Sequence, residues 1–449
     1  MEYNVEKQHE KGKLHAIERI RALCDENSFM EIYSGVRHNC TSFGMEKKDL
    51  PYDGVITGFG KINGRTVAVY AQDFTVQGGS LGLMHGKKIA ELIDKAVEAR
   101  CPVIGINDSG GARIQEGVDA LCGYGDLFYQ NVRASGSVPQ ISIVAGPCAG
   151  GAVYSPGITD FIFAIDKISE LFITGPKVVK SVMFMDISSE DLGGAAIHSK
   201  KSGVAHFRCE SENDCYRKVR ALLDYIPHYF GDDLAQNEKY KFDAKKKAKR
   251  IEEVIPENPR AGYDIREIIN CCIDDDSFFE TSAEFAVNCV TGFAKIEGKS
   301  VGIVANNPMG VGGVLDCDAS DKIARFVRYC DAFGIPLLTF VDVPGFIPGP
   351  QEEQKGIIEF MKREAGRSEE LTSLPLETEM TVFVDNPQIR CKTRFTNTAK
   401  DHRIRLLVKT HNTRPSNDSE SIYEVVTRPN KPAASWENPE NPQHQQAFV

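Results

Sequence analysis

The chain has 449 residues, of which 41% are hydrophobic and 26% are charged, as in a globular protein of two or three domains. The formal net charge of −10 argues against a nucleic-acid partner bound by bulk charge. The apolar runs are too short for a membrane span, the N-terminus is too polar for a signal peptide, and the 13 scattered cysteines include no CxxC pair. We therefore predict a cytoplasmic protein without a metal site.

Alternating strands and helices are predicted along the first part of the chain. Asn63-Gly64 is a strong hairpin signal, and Ile89, Ile93 and Val97 recur at helical spacing. In chain order we predict a hairpin of 58–62 and 66–71, a glycine-rich loop at 78–82, a helix at about 87–100, a strand at 103–106, a loop at 108–111, a helix at about 119–135, a strand at 140–144, a turn at 145–152, a helix near Val153 and a strand at 161–164. This order predicts parallel crossovers and an α/β layer fold.

An internal repeat is visible in the sequence, with an offset of 234 residues between Thr57 and Thr291. The blocks 57–67, 78–79, 88–90, 102, 108 and 111 align without a gap with 291–301, 312–313, 322–324, 336, 342 and 345. Separated blocks in one register indicate a duplication. Between the copies, the basic run at 245–250 is interpreted as a solvated boundary rather than a binding patch.

Gly150 and Gly151 lie between an apolar strand and a predicted helix start. Ligands of α/β folds bind at the loops after parallel strands, and a helix N-terminus presents unpaired N–H groups. Two adjacent amides there could hold the oxyanion of an enolate formed from an acyl thioester. The alternative is a glycine pair that only allows close packing of helix on strand, and the spacing does not decide between the two.

The segment Asp108-Ser109-Gly110-Gly111 resembles the nucleophile segment of serine proteases, but Asn107 stands where that segment has glycine. The histidines that could serve as a base lie in no helpful motif; they are His15, His38, His85 and His198. We interpret the segment as a loop whose amides and hydroxyl contact a ligand. Arg113 and Glu116 are interpreted as a solvated helical pair.

Several longer segments carry a family resemblance that spans residues from about 10 to 357. They are 13–20 (KLHAIERI), 77–82 (QGGSLG), 107–117 (NDSGGARIQEG), 146–156 (GPCAGGAVYSP), 306–313 (NNPMGVGG) and 341–349 (VDVPGFIPG). On these segments the chain resembles the carboxyltransferase subunits of biotin-dependent acyl-CoA carboxylases, of the propionyl-CoA carboxylase beta type. It is also similar to the related sodium-pump decarboxylase alpha subunits.

The resemblance implies two crotonase-like (ClpP/crotonase) domains, of which the first binds CoA and the second binds carboxybiotin. It implies that Gly150 and Gly151 form the catalytic oxyanion hole. Ligand-binding roles are implied for the glycine loops, namely Gly78, Gly79, Ser80, Ser109, Gly110, Gly111, Ala112, Gly312, Gly313, Pro344 and Gly345. It further implies biotin on a separate carrier protein, a biotin carboxyl carrier or biotin carboxylase subunit as partner, and a homo-oligomer, from dimer to hexamer, with shared active sites.

The second copy departs from this family after residue 357. Val384 and Asp385 stand where the offset places the counterparts of Gly150 and Gly151. Antiparallel strands are expected beyond that point from alternating patterns at 380–384, 389–395 and 403–408. The tail, about 375–449, resembles the β-rich C-terminal part of family 38 glycoside hydrolases, the α-mannosidases, at 398–403, 432–436 and 444–449.

The predicted organisation is a CoA-binding domain at 1–240, a truncated second domain at 251–358, a junction at 359–375 and an antiparallel β tail at 376–449. This organisation indicates a chimaeric fusion. The truncated domain is expected to expose apolar surface unless the tail covers it. The leading hypothesis is carboxyl transfer between carboxybiotin and propionyl-, acetyl- or methylmalonyl-CoA, impaired by the truncation. The alternatives are an inactive CoA-binding fragment and an α-mannosidase-like carbohydrate module.

Overall fold

The computed structural model describes residues 4–232, 240–258 and 261–357, and the backbone of 376–382, 389–395, 416–420 and 425–429. The chain divides into two compact units, Met1–Phe360 and Met361–Val449. The predicted junction at 359–375 and the predicted strand at 403–408 lie outside the described residues, as do Val384 and Asp385.

Helices and strands alternate in residues 4–232, as predicted. The helices are α1 (Val5–Glu10), α2 (Ala16–Leu23), α3 (Leu83–Glu98), α4 (Val118–Ala134), α5 (Gly151–Ile158), α6 (Pro176–Met183), α7 (Ser189–Gly193), α8 (Ala195–Lys200) and α9 (Glu212–Leu223). The strands are β1 (Met30–Ile32), β2 (Val55–Ile62), β3 (Arg65–Gln72), β4 (Val103–Ser109), β5 (Gln140–Ala149), β6 (Phe161–Ile165), β7 (Glu170–Phe172) and β8 (Phe207–Cys209).

One twisted sheet organises this first repeat, in the order β1-β2-β3-β4-β5-β6-β8, with β7 beside the end of β5. The strands β1 to β3 pair antiparallel, and those from β3 to β8 pair parallel. Helices α3 and α4 cover one face of the sheet, and α2 and α9 cover the other. Every residue of β4 is buried, as expected for a central parallel strand covered on both faces.

Two of the predicted strand ends were wrong. β4 continues through Asp108 and Ser109, which were expected in a loop, because both residues are fully buried and Ser109 pairs with Cys148 across the sheet. β5 continues to Ala149 rather than ending at Val144. The two glycine turns therefore begin at Gly110 and Gly150.

The second repeat has the same order of elements. Its helices are α10 (Ala244–Val254), α11 (Ile265–Cys272), α12 (Cys317–Ala332) and α13 (Pro350–Lys355), and its strands are β9 (Phe279–Thr281), β10 (Cys289–Ile296), β11 (Lys299–Asn306) and β12 (Leu337–Phe340). They form a sheet in the order β12-β11-β10-β9. The basic run 245–250, predicted as a boundary, lies inside α10. Among the described strands, β12 has only β11 as a neighbour, whereas β4 lies between β3 and β5.

The backbone confirms the duplication. Gly78 and Gly79 have φ angles of 66° and 63°, and their counterparts Gly312 and Gly313 have 69° and 73°. Glycine adopts such left-handed conformations at little cost, because it has no Cβ. Isolated bridges join Leu81 to Ala112 and, 234 positions later, Leu315 to Phe346.

The repeat also extends further towards the N-terminus than the sequence alignment showed. Asp25 accepts hydrogen bonds from the amides of the Asn63-Gly64 turn at 3.1 and 2.8 Å. Asp274 accepts the corresponding pair from Glu297 and Gly298 at 3.0 and 2.7 Å. Because Asp25 and Asp274 are 249 positions apart, the first repeat has 15 additional residues before its hairpin, and a search with one offset misses this part.

The two repeats share an aromatic core. The Phe161 ring of β6 lies 4.6 Å from the Tyr329 ring of α12 and 6.0 Å from the Phe293 ring of β10. Phe326 and Cys330 of α12 are buried in the same cluster, together with α2 and α9 residues. Helix α12 of the second repeat is therefore packed against the first repeat.

The second unit contributes two antiparallel strand pairs to the described backbone. β13 (Leu376–Val382) pairs with β14 (Ile389–Phe395), and β15 (Ser416–Glu420) pairs with β16 (Val425–Pro429). The β14 strand was predicted with these bounds. Within the described parts of the chain, no helix combines the length and the apolar character that crossing a membrane requires.

Candidate active site

The glycine loops of the first repeat meet where β3, β4 and β5 end. The Gly110 amide donates to the Gly78 carbonyl at 3.0 Å. A side chain on Gly79 would place its Cβ 2.1 Å from the carbonyl oxygen of Asp108, so only glycine fits there. Gly111 lies against Ala149, since a Cβ on Gly111 would be 3.1 Å from the Ala149 carbonyl oxygen. Carboxyl ends of parallel strands are the usual ligand position in α/β folds.

A short backbone ladder holds two of these loops in register. The Leu81 amide donates to the Gly111 carbonyl at 2.9 Å, and the Arg113 amide donates to the Leu81 carbonyl at 2.9 Å. This ladder brings Ser80 and Ala112 to the same edge. The structure thus collects one group of the predicted ligand-contacting residues, namely Gly78, Gly79, Ser80, Gly110, Gly111 and Ala112.

Ser109 has no exposed surface, and its hydroxyl accepts the Gly111 amide at 3.2 Å. Each candidate histidine base is hydrogen-bonded to another group. His15 bonds to the Asp73 carboxylate and His38 to the Lys48 carbonyl, while His85 bonds to the Asp53 carbonyl and His198 to the Leu171 carbonyl. The geometry therefore gives no support to a serine nucleophile. Ser109 instead braces the loop that carries Gly111.

The turn after β5 consists of Gly150, which has a φ of 60°, and Gly151, which is the first residue of α5. The Gly150 amide donates to the carbonyl of Phe172 in β7 at 3.1 Å. Among the described residues, no acceptor faces the Gly151 amide, as is usual for the first N–H groups of a helix. The two amides that the sequence suggested as a pair thus have different roles in this structure.

Tyr124 of α4 lies directly beneath this turn. A Cβ on Gly151 would be 3.1 Å from the Tyr124 ring, so glycine allows a close approach of α4 there. Gly151 thus combines close packing with an amide at a helix start, and the oxyanion role of that amide stays a prediction.

A buried ion cluster lies against β4 and β5. Asp108 accepts hydrogen bonds from Lys13 Nζ at 3.0 Å and from Arg19 Nη1 at 2.8 Å. Arg19 also donates to Glu212 at 3.1 Å and to the Ala145 carbonyl of β5 at 2.6 Å. Burial by itself lowers the pKa of Arg19, but Asp108 and Glu212 outweigh it and raise the pKa above its usual value. The cluster ties α2 and α9 to the ends of β4 and β5.

Sequence reasoning missed this cluster, although its members were visible as charges in otherwise apolar segments. A Cβ on Gly146 would lie 1.9 Å from the Asp108 carboxylate, which shows how closely β5 passes over it. Arg19 and Glu212 are 193 positions apart, so no local spacing connects them.

Arg113 and Glu116 were wrongly predicted as a solvated pair. Arg113 is fully buried and bridges Asp53 and Glu116, with 2.8 Å to the Glu116 carboxylate. Its Nη2 also donates to the Ser80 carbonyl at 2.8 Å, and Glu116 accepts the Leu83 amide at the start of α3 at 2.7 Å. Burial raises the pKa of Asp53, and Arg113 opposes that rise. The pair anchors the 78–82 loop from inside.

The second repeat builds a similar edge from Gly312, Gly313 and Gly345. Leu315 donates to the Gly345 carbonyl at 3.0 Å, which is the counterpart of the Leu81–Gly111 bond. Pro344, the residue before Gly345, is exposed at the same edge. Among the described residues this edge has no counterpart of the buried cluster, since Gly262 and Ile268, at the offset of 249, occupy the positions that correspond to Lys13 and Arg19. Asp342 accepts instead from the Tyr263 hydroxyl at 2.7 Å.

Known proteins similar to this chain identify its family. Residues 7–362 match the carboxyl transferase domain family. The chain is 50% identical over 357 residues to the methylmalonyl-CoA decarboxylase subunit alpha of Veillonella parvula, a match that covers 80% of this chain and 70% of the relative. It is 50% identical over 363 residues to the propionyl-CoA carboxylase beta chain of Cereibacter sphaeroides, covering 79% and 69% of the two chains.

Solved structures give the same picture. Transcarboxylase 12S, determined as a hexamer with methylmalonyl-CoA and methylmalonic acid bound, matches with a TM-score of 0.76 and 45% identity, over 79% of this chain and 69% of that chain. The family match ends at residue 362, before the tail. The resemblance of the tail to α-mannosidases therefore stays a prediction.

Proposed function

The chain belongs to the carboxyl transferase family, and we propose that the Gly150–Gly151 turn is the point at which this enzyme stabilises its acyl-CoA enolate. Its reaction is the transfer of a carboxyl group between biotin and an acyl-CoA thioester. Loss of the α-proton from the acyl group leaves negative charge on the thioester oxygen. The Gly151 amide and the positive end of the α5 dipole face that charge, while Gly150 provides the left-handed turn.

The observation that carries this proposal is the first helical amide of α5, which has no acceptor among the described residues. The Gly150–Phe172 hydrogen bond and the Tyr124 ring hold the turn itself, so the amide is preorganised before substrate binds. Preorganised donors aimed at developing charge are usually a large contribution to catalysis. The acyl-CoA is accordingly assigned to the first repeat, with Gly78, Gly79, Gly110 and Gly111 lining its approach.

Carboxybiotin is assigned to the glycine edge of the second repeat, where Gly312 is exposed and a Cβ on Gly312 would meet no protein atom within 4 Å. Open backbone of this kind fits a ligand that must approach the backbone closely. When bound, carboxybiotin supplies the carboxyl group. The proposed partner is the biotin carboxyl carrier protein or biotin carboxylase subunit that carries it.

An assembly of several copies is also proposed, with neighbouring subunits sharing active sites. Exposed apolar side chains support this assembly. They lie on the loop before α4, on α4 itself and around α6, and are Ile114, Val118, Leu121, Ile173, Val182 and Phe184. Ile114 and Phe184 have 86% and 91% of their surface exposed. Apolar patches of this kind mark protein–protein contacts, and hexameric transcarboxylase 12S supports the same inference.

The domain boundaries, the truncation of the second domain and the cytoplasmic location are retained as proposals. The truncation is supported by the outer edge of β12, which has no partner among the described strands, and by Val384-Asp385 at the expected glycine pair. A second oxyanion turn would then be missing from this copy of the repeat. Lowered activity relative to full-length carboxyltransferases follows from that proposal.

The function is tested with free carboxybiotin and propionyl-CoA, following methylmalonyl-CoA formation, and with a calorimetric titration of CoA. In the Gly150→Ala variant, the strained turn misplaces the Gly151 amide, and we expect kcat to fall by about 100-fold with CoA affinity retained. Gly157→Ala is the matched control, because Gly157 lies in the same helix with open space around it. Wild-type protein that binds no CoA would contradict the function, and full activity in Gly150→Ala would contradict the role of the turn.

A further inference from the structure

Helix α5 is held at the end opposite Gly151 by residues of both repeats. The hydroxyl of its C-cap residue, Thr159, donates to Pro156 O at 2.8 Å and shares a hydrogen bond with the Ser142 hydroxyl at 3.0 Å. The helix has only eight residues, so a shift at Thr159 displaces the Gly151 amide by a similar amount. Whatever holds this C-terminal end therefore affects the oxyanion turn.

Arg325 of α12 reaches this end from the second repeat. Its Nη2 donates to the Thr159 carbonyl at 3.2 Å. A cation at a helix C-terminus is favourable, because the last carbonyls carry partial negative charge. Burial lowers the pKa of Arg325, and Asp160, the residue after Thr159, opposes that effect.

Asp160 continues the connection back into the first repeat. Its carboxylate accepts the Gln140 amide at 2.8 Å, and burial raises the pKa of Asp160 to about 7, with Gln140 and Arg325 opposing. The Gln140 side chain exchanges hydrogen bonds of 2.9 Å with Asn131, which accepts from the Ser155 hydroxyl of α5 at 2.9 Å. A buried polar chain thus runs from Asp160 to the middle of α5.

A cavity of about 210 Å³ lies between the repeats at this point. Arg325, Asp160, His206 and Tyr329 are among its lining residues, and the Tyr329 hydroxyl has no hydrogen-bond partner among the described residues. The cavity is partly open to solvent, so a small solute can reach the position of the Arg325 side chain.

We propose that Arg325 is a positioning residue for carboxyl transfer, which couples the second repeat to the oxyanion helix of the first. Helix α12 begins at Cys317, just after the Gly312–Gly313 edge assigned to carboxybiotin, and contacts the first repeat at Thr159 and Phe161. Arg325 thereby links one ligand edge to the helix that stabilises the charge formed at the other. The inference rests on the proposed role of Gly151.

The test is the Arg325→Ala variant, compared with wild type in carboxyl transfer, CoA affinity and melting temperature. Coupling residues of this kind change rates by roughly tenfold, and we expect that loss in kcat with little change in KM or CoA affinity. Guanidinium chloride, well below unfolding concentrations, should enter the enlarged cavity and restore part of kcat. Arg325→Lys should retain most of the activity, because it keeps the cation.

The matched control is Arg328→Ala, since Arg328 is exposed on the same helix one turn later and bonds only to Ala324 among the described residues. It should keep wild-type kcat with or without guanidinium. Wild-type activity in Arg325→Ala, or a loss that guanidinium and Arg325→Lys both fail to restore, would overturn the inference while the proposed function stands. Absence of transfer by the wild-type chain would overturn both.

Discussion

Replacing Arg113 by methionine removes the only cation that bridges Asp53 and Glu116 in the described structure. Arg113 and Asp53 are both fully buried, and one carboxylate oxygen of Asp53 already lacks a partner. Breaking a buried ion pair from one side costs about 3–5 kcal/mol, because the remaining charge stays buried without compensation. We expect Arg113→Met to lose that much unfolding free energy, and to raise the KM for acyl-CoA because the 78–82 loop loses its anchor.

The loss should also depend on pH in a definite direction. Burial already raises the pKa of Asp53 in the folded state, and removing Arg113 raises it further. A carboxyl group with a folded pKa above its unfolded value destabilises the protein once the pH exceeds the unfolded pKa. The difference in stability between Arg113→Met and wild type should therefore be larger at pH 8 than at pH 5.

Urea unfolding followed by circular dichroism, at fixed protein concentration and at both pH values, measures these differences. Arg133→Met is the control, because Arg133 forms an exposed pair with Asp94 on the surface of the same repeat. Exposed pairs contribute about 0–1 kcal/mol. If Arg113→Met were no more destabilised than Arg133→Met, or if its deficit grew on acidification, the account of the buried bridge would be refuted.

Two further predictions concern the glycine loop and the buried thiols. Gly79→Ala should lose about 2–4 kcal/mol of unfolding free energy, since the new Cβ would lie 2.1 Å from the Asp108 carbonyl oxygen. Gly78→Ala has a similar left-handed φ but no atom within 4 Å of the new Cβ, so it should lose only about 1–2 kcal/mol. Equal losses in urea unfolding would contradict the steric argument. Iodoacetamide should modify the exposed Cys122 of the native protein and spare Cys148, whose pKa is raised by burial and by Asp108. Rapid labelling of Cys148, detected by mass spectrometry, would contradict its burial.

Turns and periodic segments were predictable because their causes are local. The Asn63-Gly64 turn has positive φ at both residues, as that pair prefers, and α4 was predicted within one residue of its bounds. The duplication was equally visible in the sequence. Each copy has a hairpin followed by a glycine pair, Gly78-Gly79 in the first and Gly312-Gly313 in the second, and both pairs have left-handed φ angles. These features depend on neighbouring residues, which the sequence displays directly.

The strand ends and the charged pairs were not predictable in the same way. Asp108 and Ser109 look like loop residues, yet they lie in β4 because Lys13 and Arg19 satisfy the carboxylate and the Gly111 loop satisfies the hydroxyl. The charge pattern of Arg113 and Glu116 fits a solvated helix equally well. Only the packing of distant segments decides whether such a charge is paired or solvated.

The sequence by itself determined the α/β architecture, the duplication, the glycine loops and the family resemblance. The tertiary structure decided that the Gly150 amide donates to Phe172 while the Gly151 amide has no acceptor among the described residues, and that Arg325 of the second repeat reaches the far end of α5. The physical reason is that backbone conformation and periodicity follow from local sterics, whereas hydrogen-bond partners and burial depend on residues far apart in the chain.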